Sequence, residues 1–321
     1  MAPTRRAVID IGTNSVKLLV ADVQGHSIIP IFEESEQTRL GKDFYETHRL
    51  QRDAIDETAR AVASFSGIAR LNNAASLRVI ATSAARDAVN KQELLDAIRK
   101  VSGLDVEIIS GDQEADLVYR GVRCDPELAR QRLLILDVGG GSSEFMIGES
   151  EHPEFAQSFP LGSVRLLEHL RPSDPPTPAE LERCRSCLKT FFAEHVRNIV
   201  GPALAKGRDC TQLIGTGGAA TILARMEYAL DKYRRHEIEG ARISLESVRG
   251  WMTRLWSMPL LERRKIIGLP SKRADVILTG MAIYEAVLEE FAFTELRAST
   301  RGLRFAAVLQ AAPAPPQPAA V

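Results

Sequence analysis

Leu134-Ile135-Leu136-Asp137-Val138-Gly139-Gly140-Gly141-Ser142-Ser143-Glu144-Phe145-Met146-Ile147 is an apolar strand that ends in Asp-x-Gly, makes a turn of glycine and serine, and resumes as an apolar strand. The same plan stands near the N-terminus. There Val8-Ile9-Asp10-Ile11-Gly12-Thr13-Asn14-Ser15-Val16-Lys17 closes one apolar stretch and Leu18-Leu19-Val20 opens the next. Glycine in such a turn allows positive φ and close approach to the backbone, so that successive N–H groups form a nest for an anion. Either copy alone reads equally well as a β-hairpin with a glycine-rich turn. Two copies, each with an aspartate at the strand end, argue for two related half-domains gripping one phosphorylated ligand between them. The N–H groups of Thr13, Asn14 and Ser15, and those across Gly139, Gly140, Gly141, Ser142 and Ser143, are the candidate cradle.

The elements around these loops repeat as well. After the first hairpin come an extended stretch at Ser27–Glu33, a helix carried by Ala54, Ile55, Thr58, Ala61, Val62, Phe65, Ile68 and Ala69, a strand at Leu77–Ala81, a helix at Gln92–Val101, a strand at Val106–Ser110 and a helix at Gln113–Val122. The order βββαβαβα restarts with strands near 132–137, 144–148 and 155–160, a helix at 178–199 with Thr177 as its N-cap, a strand at 212–215 and a helix at 219–230. A helical block at 245–256, 260–267 and 273–291 follows, then a strand at 296–299 and a closing helix from Gly302. The pattern predicts an α/β protein of two domains with an inter-domain cleft. Domain I spans 1–127, with the closing helix at about 300–311 packing back on it. Domain II spans 128–299 with a helical insert, and the proline-rich stretch 312–321 is expected to be disordered.

Composition narrows the class of function. A chain of 321 residues is long enough for two cores, and a net charge of −1 gives no footprint for nucleic acid. No run approaches the roughly 20 apolar residues that cross a bilayer, and no secretory leader precedes the first strand, so a cytoplasmic protein is expected. Cys184 and Cys187 read as neighbours on a helix face. Asp10, Asp137 and Glu144 offer hard oxygen donors of the kind that suit Mg²⁺, although each is equally a turn residue bonding its own backbone. Glu114 stands at the start of a helix, where it either orients an attacking water or complements the helix dipole.

Further blocks carry a resemblance. Asp10 to Ser15, Ala81-Thr82-Ser83-Ala84-Ala85-Arg86-Asp87-Ala88, Ile109-Ser110-Gly111-Asp112-Gln113-Glu114-Ala115, Asp137 to Ser142 and Gly268-Leu269-Pro270-Ser271-Lys272-Arg273-Ala274-Asp275 together resemble the exopolyphosphatase and guanosine pentaphosphate phosphohydrolase family. That family belongs to the superfamily of actin, the sugar kinases and the heat-shock chaperones, so the resemblance implies two actin-like, ribonuclease H-like domains. Two departures stand out: Gln113 where the family commonly has an acid, and Phe305-Ala306 where it has Glu-Gly. Gly215-Thr216-Gly217-Gly218 is similar to the superfamily's adenosine loop.

The resemblance implies an exopolyphosphatase that releases terminal orthophosphate from inorganic polyphosphate, with Glu114 as general base. It makes Arg86 the guanidinium clamp on phosphate, with Lys17 and Arg39 weaker candidates. Asp137 and Glu144 become the carboxylates for Mg²⁺, or Mn²⁺ in its place, with Asp10 either binding the metal through water or shaping the first loop. Alternatives are a guanosine pentaphosphate 5'-phosphohydrolase, an ATP-dependent phosphotransferase and a phosphate-sensing protein without turnover. Longer relatives add a helical domain after the actin-like pair, and the stretch 311–321 holds no lysine or arginine to extend a basic track, so short polyphosphates are the expected substrates. The helical block of domain II makes a homodimer the expected assembly.

Overall fold

The structure, a computed structural model, describes residues 2–310. They form two compact units, one running to Cys124 and resuming at Leu303, the other Asp125–Gly302. Unit 1 contains β1 (Thr4–Ile11), β2 (Val16–Gln24), β3 (Ser27–Glu36), α1 (Arg52–Leu71), β4 (Ser76–Ala81), α2 (Ser83–Asp87), α3 (Lys91–Ser102), β5 (Glu107–Ile108), α4 (Gly111–Arg123) and, after unit 2 has intervened, α13 (Leu303–Leu309). Its sheet has the order β3-β2-β1-β4-β5, with β1, β2 and β3 antiparallel and β1, β4 and β5 parallel. Ile9, Ile11, Leu18 and Val20 point into a core closed by Ile55, Val62 and Phe65 of α1. Helix α13 packs on β1, β2 and α4. Phe305, the departure in this helix, is 1% exposed, and Arg304 Nη1 donates to Leu18 O at 2.7 Å.

Unit 2 contains β6 (Leu133–Val138), β7 (Ser143–Gly148), β8 (Phe155–Phe159), α5 (Ser163–Leu170), α6 (Pro178–Phe191), α7 (Arg197–Ala205), β9 (Gln212–Thr216), α8 (Gly217–Glu227), α9 (Arg235–Ile238), β10 (Arg242–Ser244), α10 (Leu245–Trp256), α11 (Leu260–Arg263), α12 (Ile277–Glu290) and β11 (Glu295–Ala298). Its sheet order is β10-β11-β9-β6-β7-β8. Read from the other edge, β8-β7-β6-β9-β11 has the order and directions of β3-β2-β1-β4-β5, with β10 added antiparallel outside β11. The duplication is therefore one of topology. The helices α8 to α12 separate β9 from β11 in the chain, whereas in unit 1 only α2 and α3 separate β4 from β5. Tyr284 of α12, fully buried, reaches Thr216 O at 2.7 Å and Leu136 O at 3.1 Å, tying β9 to β6 from beneath.

Several expected elements take a different form. The helix expected to end at Ile199 runs on to Ala205, through a wide turn at Phe192–Val196 and past Pro202. Phe192, Val196, Val200 and Leu204 are all buried, and this stripe at four-residue spacing outweighs the Gly-Pro break. The helix expected over 260–267 is only α11, and the one from 273 starts as a tight turn before α12. Helices α2, α5 and α9 and strand β10 lie where none was expected; each is eight residues or shorter, too brief for periodicity to show. Cys184 is buried, and burial pushes its thiol up to about 12, in keeping with a packing role. The expected disordered stretch 312–321 lies outside the described residues. Among the described residues, no helix is long and apolar enough to cross a membrane.

The expected cap of α6 is a full capping box. Thr177 Oγ1 accepts from Glu180 N, and the Glu180 carboxylate accepts from Thr177 N–H and Ser173 Oγ at 2.7 Å and from Ser173 N–H at 2.8 Å. Led by the Thr177 N–H, these bonds pull the carboxyl from 4.5 to about 2. A carboxyl depressed in the folded state contributes stability that is complete above its unfolded value and is lost as pH falls toward the folded one. The urea midpoint of wild type should therefore exceed that of Glu180→Gln at neutral pH, with the gap closing as pH drops from about 5 to about 2.5. A gap that stayed constant over this range would exclude the ionised cap.

Candidate active site

The expected site residues lie in the turns that follow β1 and β6, on the strands that flank those turns, on the helices that follow β4 and β5 and, for Arg39, in the turn after β3. In unit 1 the carboxyl ends of β1, β4 and β5 adjoin: Ile11 pairs with Ala81, Thr82 N donates to Ile11 O at 3.1 Å, and Ile109 N donates to Ala81 O at 3.1 Å. The Thr13–Ser15 loop after β1, Arg86 on α2 after β4, and Glu114 on α4 after β5 are thereby set along one edge of one sheet.

The first loop closes when Gly12 N donates to Ser15 O at 3.0 Å. Its carbonyls are held from behind, since Gly41 N donates to Thr13 O at 2.7 Å and Arg39 N to Asn14 O at 3.1 Å. In a planar trans peptide the C=O and the following N–H point to opposite sides. Anchoring Thr13 O and Asn14 O therefore turns the N–H groups of Asn14 and Ser15 outward. Contact with the backing segment is close: a Cβ on Gly41 would lie 2.3 Å from Thr13 Cγ2.

The second loop repeats this construction. Gly139 N donates to Ser142 O at 3.0 Å, and the first turn of α5 holds the carbonyls. Ser163 N reaches Gly139 O at 2.9 Å, Val164 N and Arg165 N reach Gly140 O at 2.8 and 3.1 Å, and Arg165 Nε reaches Gly141 O at 2.8 Å. The N–H groups of Gly140, Gly141 and Ser142 consequently face the other way as a nest. The Ser143 hydroxyl, by contrast, donates back to Leu161 O and braces the loop. Gly162 seats α5 against the loop, for a Cβ there would lie 2.4 Å from both C and O of Gly140.

Charge distinguishes the two loops. The register sets Asp10 opposite Lys17 and Asp137 opposite Glu144. Burial pushes the Asp10 carboxyl up, and Lys17 and Arg304 pull it back down. In unit 2 two carboxylates face each other, an arrangement that destabilises a ladder without a cation to share. Glu144 is 1% exposed and accepts from Ser158 Oγ at 2.8 Å. Asp137 also meets the start of α8: Gly217 has φ of 82°, and a Cβ there would lie 2.3 Å from Asp137 Oδ1. The Gly215–Gly218 stretch is thus the turn that brings a helix N-terminus to this carboxylate.

Arg86 and Glu114 form a pair. Arg86 Nη1 donates to Glu114 Oε2 at 3.1 Å and to Ile109 O at 3.2 Å, and the two side chains are 23% and 12% exposed. Gln113 has a definite task. Ser110 Oγ accepts from Gln113 N at 3.1 Å and Gln113 Oε1 accepts from Ser110 N at 2.8 Å, a capping box that glutamine completes as well as an acid does.

The backing segments Leu40–Gly41 and Leu161–Arg165, with Ser158, hold the loops and were not among the expected site residues, whereas Arg39, expected as a weaker phosphate candidate, holds Asn14 O through its main-chain N–H. Their signal is a second internal repeat, Leu40-Gly41 and Leu161-Gly162, each just after the third strand of its unit.

Against known families, the sequence matches the Ppx/GppA phosphatase family over residues 19–313. The chain belongs to this family. Exopolyphosphatase 2 of Mycobacterium tuberculosis is 31% identical over 299 residues, covering 90% of this chain and 92% of the relative. Among solved structures, the Ppx/GppA family member of Aquifex aeolicus is 30% identical with a TM-score of 0.76, covering 95% of this chain and 96% of its own. An exopolyphosphatase of Cytophaga hutchinsonii is 29% identical with a TM-score of 0.85, covering 96% and 97%. As a Ppx/GppA protein the chain is a hydrolase of phosphoanhydride bonds built on two actin-like α/β units.

Gly162→Ala must move α5 off the second loop, because the new methyl meets backbone on both Gly140 and Gly141. It should lower both thermal stability and affinity for inorganic phosphate. Gly67→Ala within α1 meets nothing within 4 Å and serves as the control, with an expected gain of about 0.5–1 kcal/mol. Unchanged phosphate affinity in Gly162→Ala would show that the nest does not depend on this seat.

Proposed function

We propose that the protein is an exopolyphosphatase that removes terminal orthophosphate from inorganic polyphosphate with the help of Mg²⁺. The observation that carries this reading is the second loop, where a nest of outward N–H groups follows directly on a facing pair of carboxylates. A nest alone suits any anion. A nest beside two hard, like-charged oxygen donors suits a polyanion that arrives with a divalent cation.

Asp137 and Glu144 would hold the Mg²⁺, with Ser158 orienting Glu144. Bound there, the ion would polarise phosphoryl oxygens and neutralise charge that develops on them. Asp10 is assigned to shaping the first loop and not to the metal, because Lys17 and Arg304 partly offset the rise that burial imposes on its carboxyl. Glu114 serves as general base. The capping box sets its backbone and the Arg86 guanidinium holds one carboxylate oxygen, leaving the attacking water to be oriented by the same group. Arg86 has further N–H donors for phosphate, so it both positions the base and stabilises the transferring group.

Short chains are the proposed substrates, since a polymer held at its terminal unit by backbone N–H groups gains little from units beyond them. Guanosine pentaphosphate ends in the same anhydride and belongs in the assay beside size-sorted polyphosphates.

Phosphate release measured colorimetrically tests each role. Glu114→Gln keeps the shape of the side chain but cannot take a proton, and should lose about 10²–10⁴-fold in turnover with little change in KM. Retention of more than about a tenth of wild-type turnover would remove Glu114 as the base. Asp137→Ala and Glu144→Ala should each shift the Mg²⁺ titration to higher concentration, and an unshifted titration in both would end the metal assignment.

A further inference from the structure

The first phosphate loop carries two buried polar atoms that the surrounding protein leaves unmatched. Thr13 and Asn14 are 3% and 6% exposed, yet Thr13 Oγ1 and Asn14 Nδ2 have no hydrogen-bond partner among the described residues. Buried donors are seldom left unmade, and two on successive residues of an anion-cradling turn mark where an acceptor binds. The second loop has glycine at both equivalent positions, Gly140 and Gly141, and offers only main chain there. Side-chain recognition therefore belongs to the first loop.

Which atom Asn14 presents is tied to a partner outside the loop, Gln37, whose own amide oxygen is likewise buried without a hydrogen-bond partner among the described residues. The Asn14 amide oxygen accepts from Gln37 Nε2 at 3.0 Å, and this leaves the amide nitrogen as the group to be matched. Gln37 follows β3 directly and stands two residues before Arg39, whose N–H holds Asn14 O. One short segment thus fixes the Asn14 main chain and side chain together. The reversed pair, with Asn14 Nδ2 donating to Gln37 Oε1, would fill the same space. It would aim an oxygen at the anion, and ionised phosphate oxygens accept hydrogen bonds without donating any.

We propose that Gln37 is a positioning residue for substrate recognition: by donating to Asn14 Oδ1 it holds the Asn14 amide nitrogen, with the Thr13 hydroxyl, ready to donate to phosphate oxygens. The inference rests on the reading of Thr13–Ser15 as a phosphate cradle. It adds that the polarity of a hydrogen bond behind the cradle determines whether the cradle takes an anion.

Glutamate at position 37 can only accept, so Gln37→Glu locks the reversed orientation while retaining a bond to Asn14. The variants Gln37→Glu, Gln37→Met, Asn14→Ala and the double variant Asn14→Ala/Gln37→Glu are compared by KM and kcat for tripolyphosphate, by the inhibition constant of inorganic phosphate and by thermal midpoint. Gln37→Glu should raise KM and the phosphate inhibition constant about tenfold or more, the scale of a hydrogen bond to a charged group, with a midpoint close to wild type. Gln37→Met frees the amide to turn and should fall between the two. In the Asn14→Ala background Gln37→Glu should add nothing further, because its effect runs through the Asn14 amide. Additive losses would overturn the inference in favour of simple charge repulsion, and so would wild-type KM in Gln37→Glu. Absence of phosphate inhibition and of tripolyphosphate turnover in the unaltered protein would instead overturn the cradle reading, and this inference with it.

Discussion

The geometry of both loops depends on one constraint, the planarity of the trans peptide. A turn of glycine, serine and asparagine could settle in many conformations, and its N–H groups would then point in many directions. Holding the carbonyls removes that freedom. Because each anchored C=O dictates the direction of the next N–H, a backing segment turns two donors of the first loop and three of the second outward. In unit 2 the anchor is the first turn of α5, whose own N–H groups lack intrahelical partners and spend themselves on Gly139 and Gly140. In unit 1 it is the Arg39–Gly41 turn. The two solutions differ in secondary structure and in the individual bonds, and both hold the carbonyls at the two equivalent positions, Thr13 and Asn14 in one loop and Gly140 and Gly141 in the other.

With the backbone equivalent, the side chain opposite each aspartate distinguishes the loops. Lys17 and Glu144 occupy the same place on the strand that leaves the loop and are opposite in charge. In the first unit the pair across the ladder is Asp10 with Lys17, two groups of opposite charge. In the second unit the pair across the ladder is Asp137 with Glu144, two groups of like charge. The same frame occurs in both units, and one ladder position gives their loops different charge pairs.

Much of this was legible in the chain, and the boundary of legibility has a physical basis. Long amphipathic stretches such as α1 and the apolar runs β1, β6 and β9 declare themselves through periodicity, and the Asp-x-Gly turns through glycine at strand ends. The role of Glu114 as a residue just inside a helix could likewise be placed. What the sequence hid was tertiary: that Gly162 and Gly41 are needed for backbone contact, that Ser143 turns its hydroxyl inward, and that Asp10 and Asp137 sit in opposite electrostatic surroundings. The last follows from register, which a hairpin sequence does not reveal until the turn type is known. Short α5 escaped because eight residues give only two turns, although it contributes most of the anchors for the second loop.

Gln113 shows how a departure from a family pattern can leave chemistry untouched. At the third position of α4 its side chain bends back to the Ser110 N–H, and both an amide and a carboxylate have the oxygen this requires. What matters for the Arg86–Glu114 pair is that the first turn of α4 begins at Ser110 and nowhere else, since a shift of one residue would rotate Glu114 by about 100° around the helix and away from Arg86. The box fixes that start from both ends, donor and acceptor. A residue can therefore change in charge while the position of its neighbour stays fixed. The same holds for the two loops, whose anchoring bonds run mainly through main-chain atoms, which substitution leaves in place.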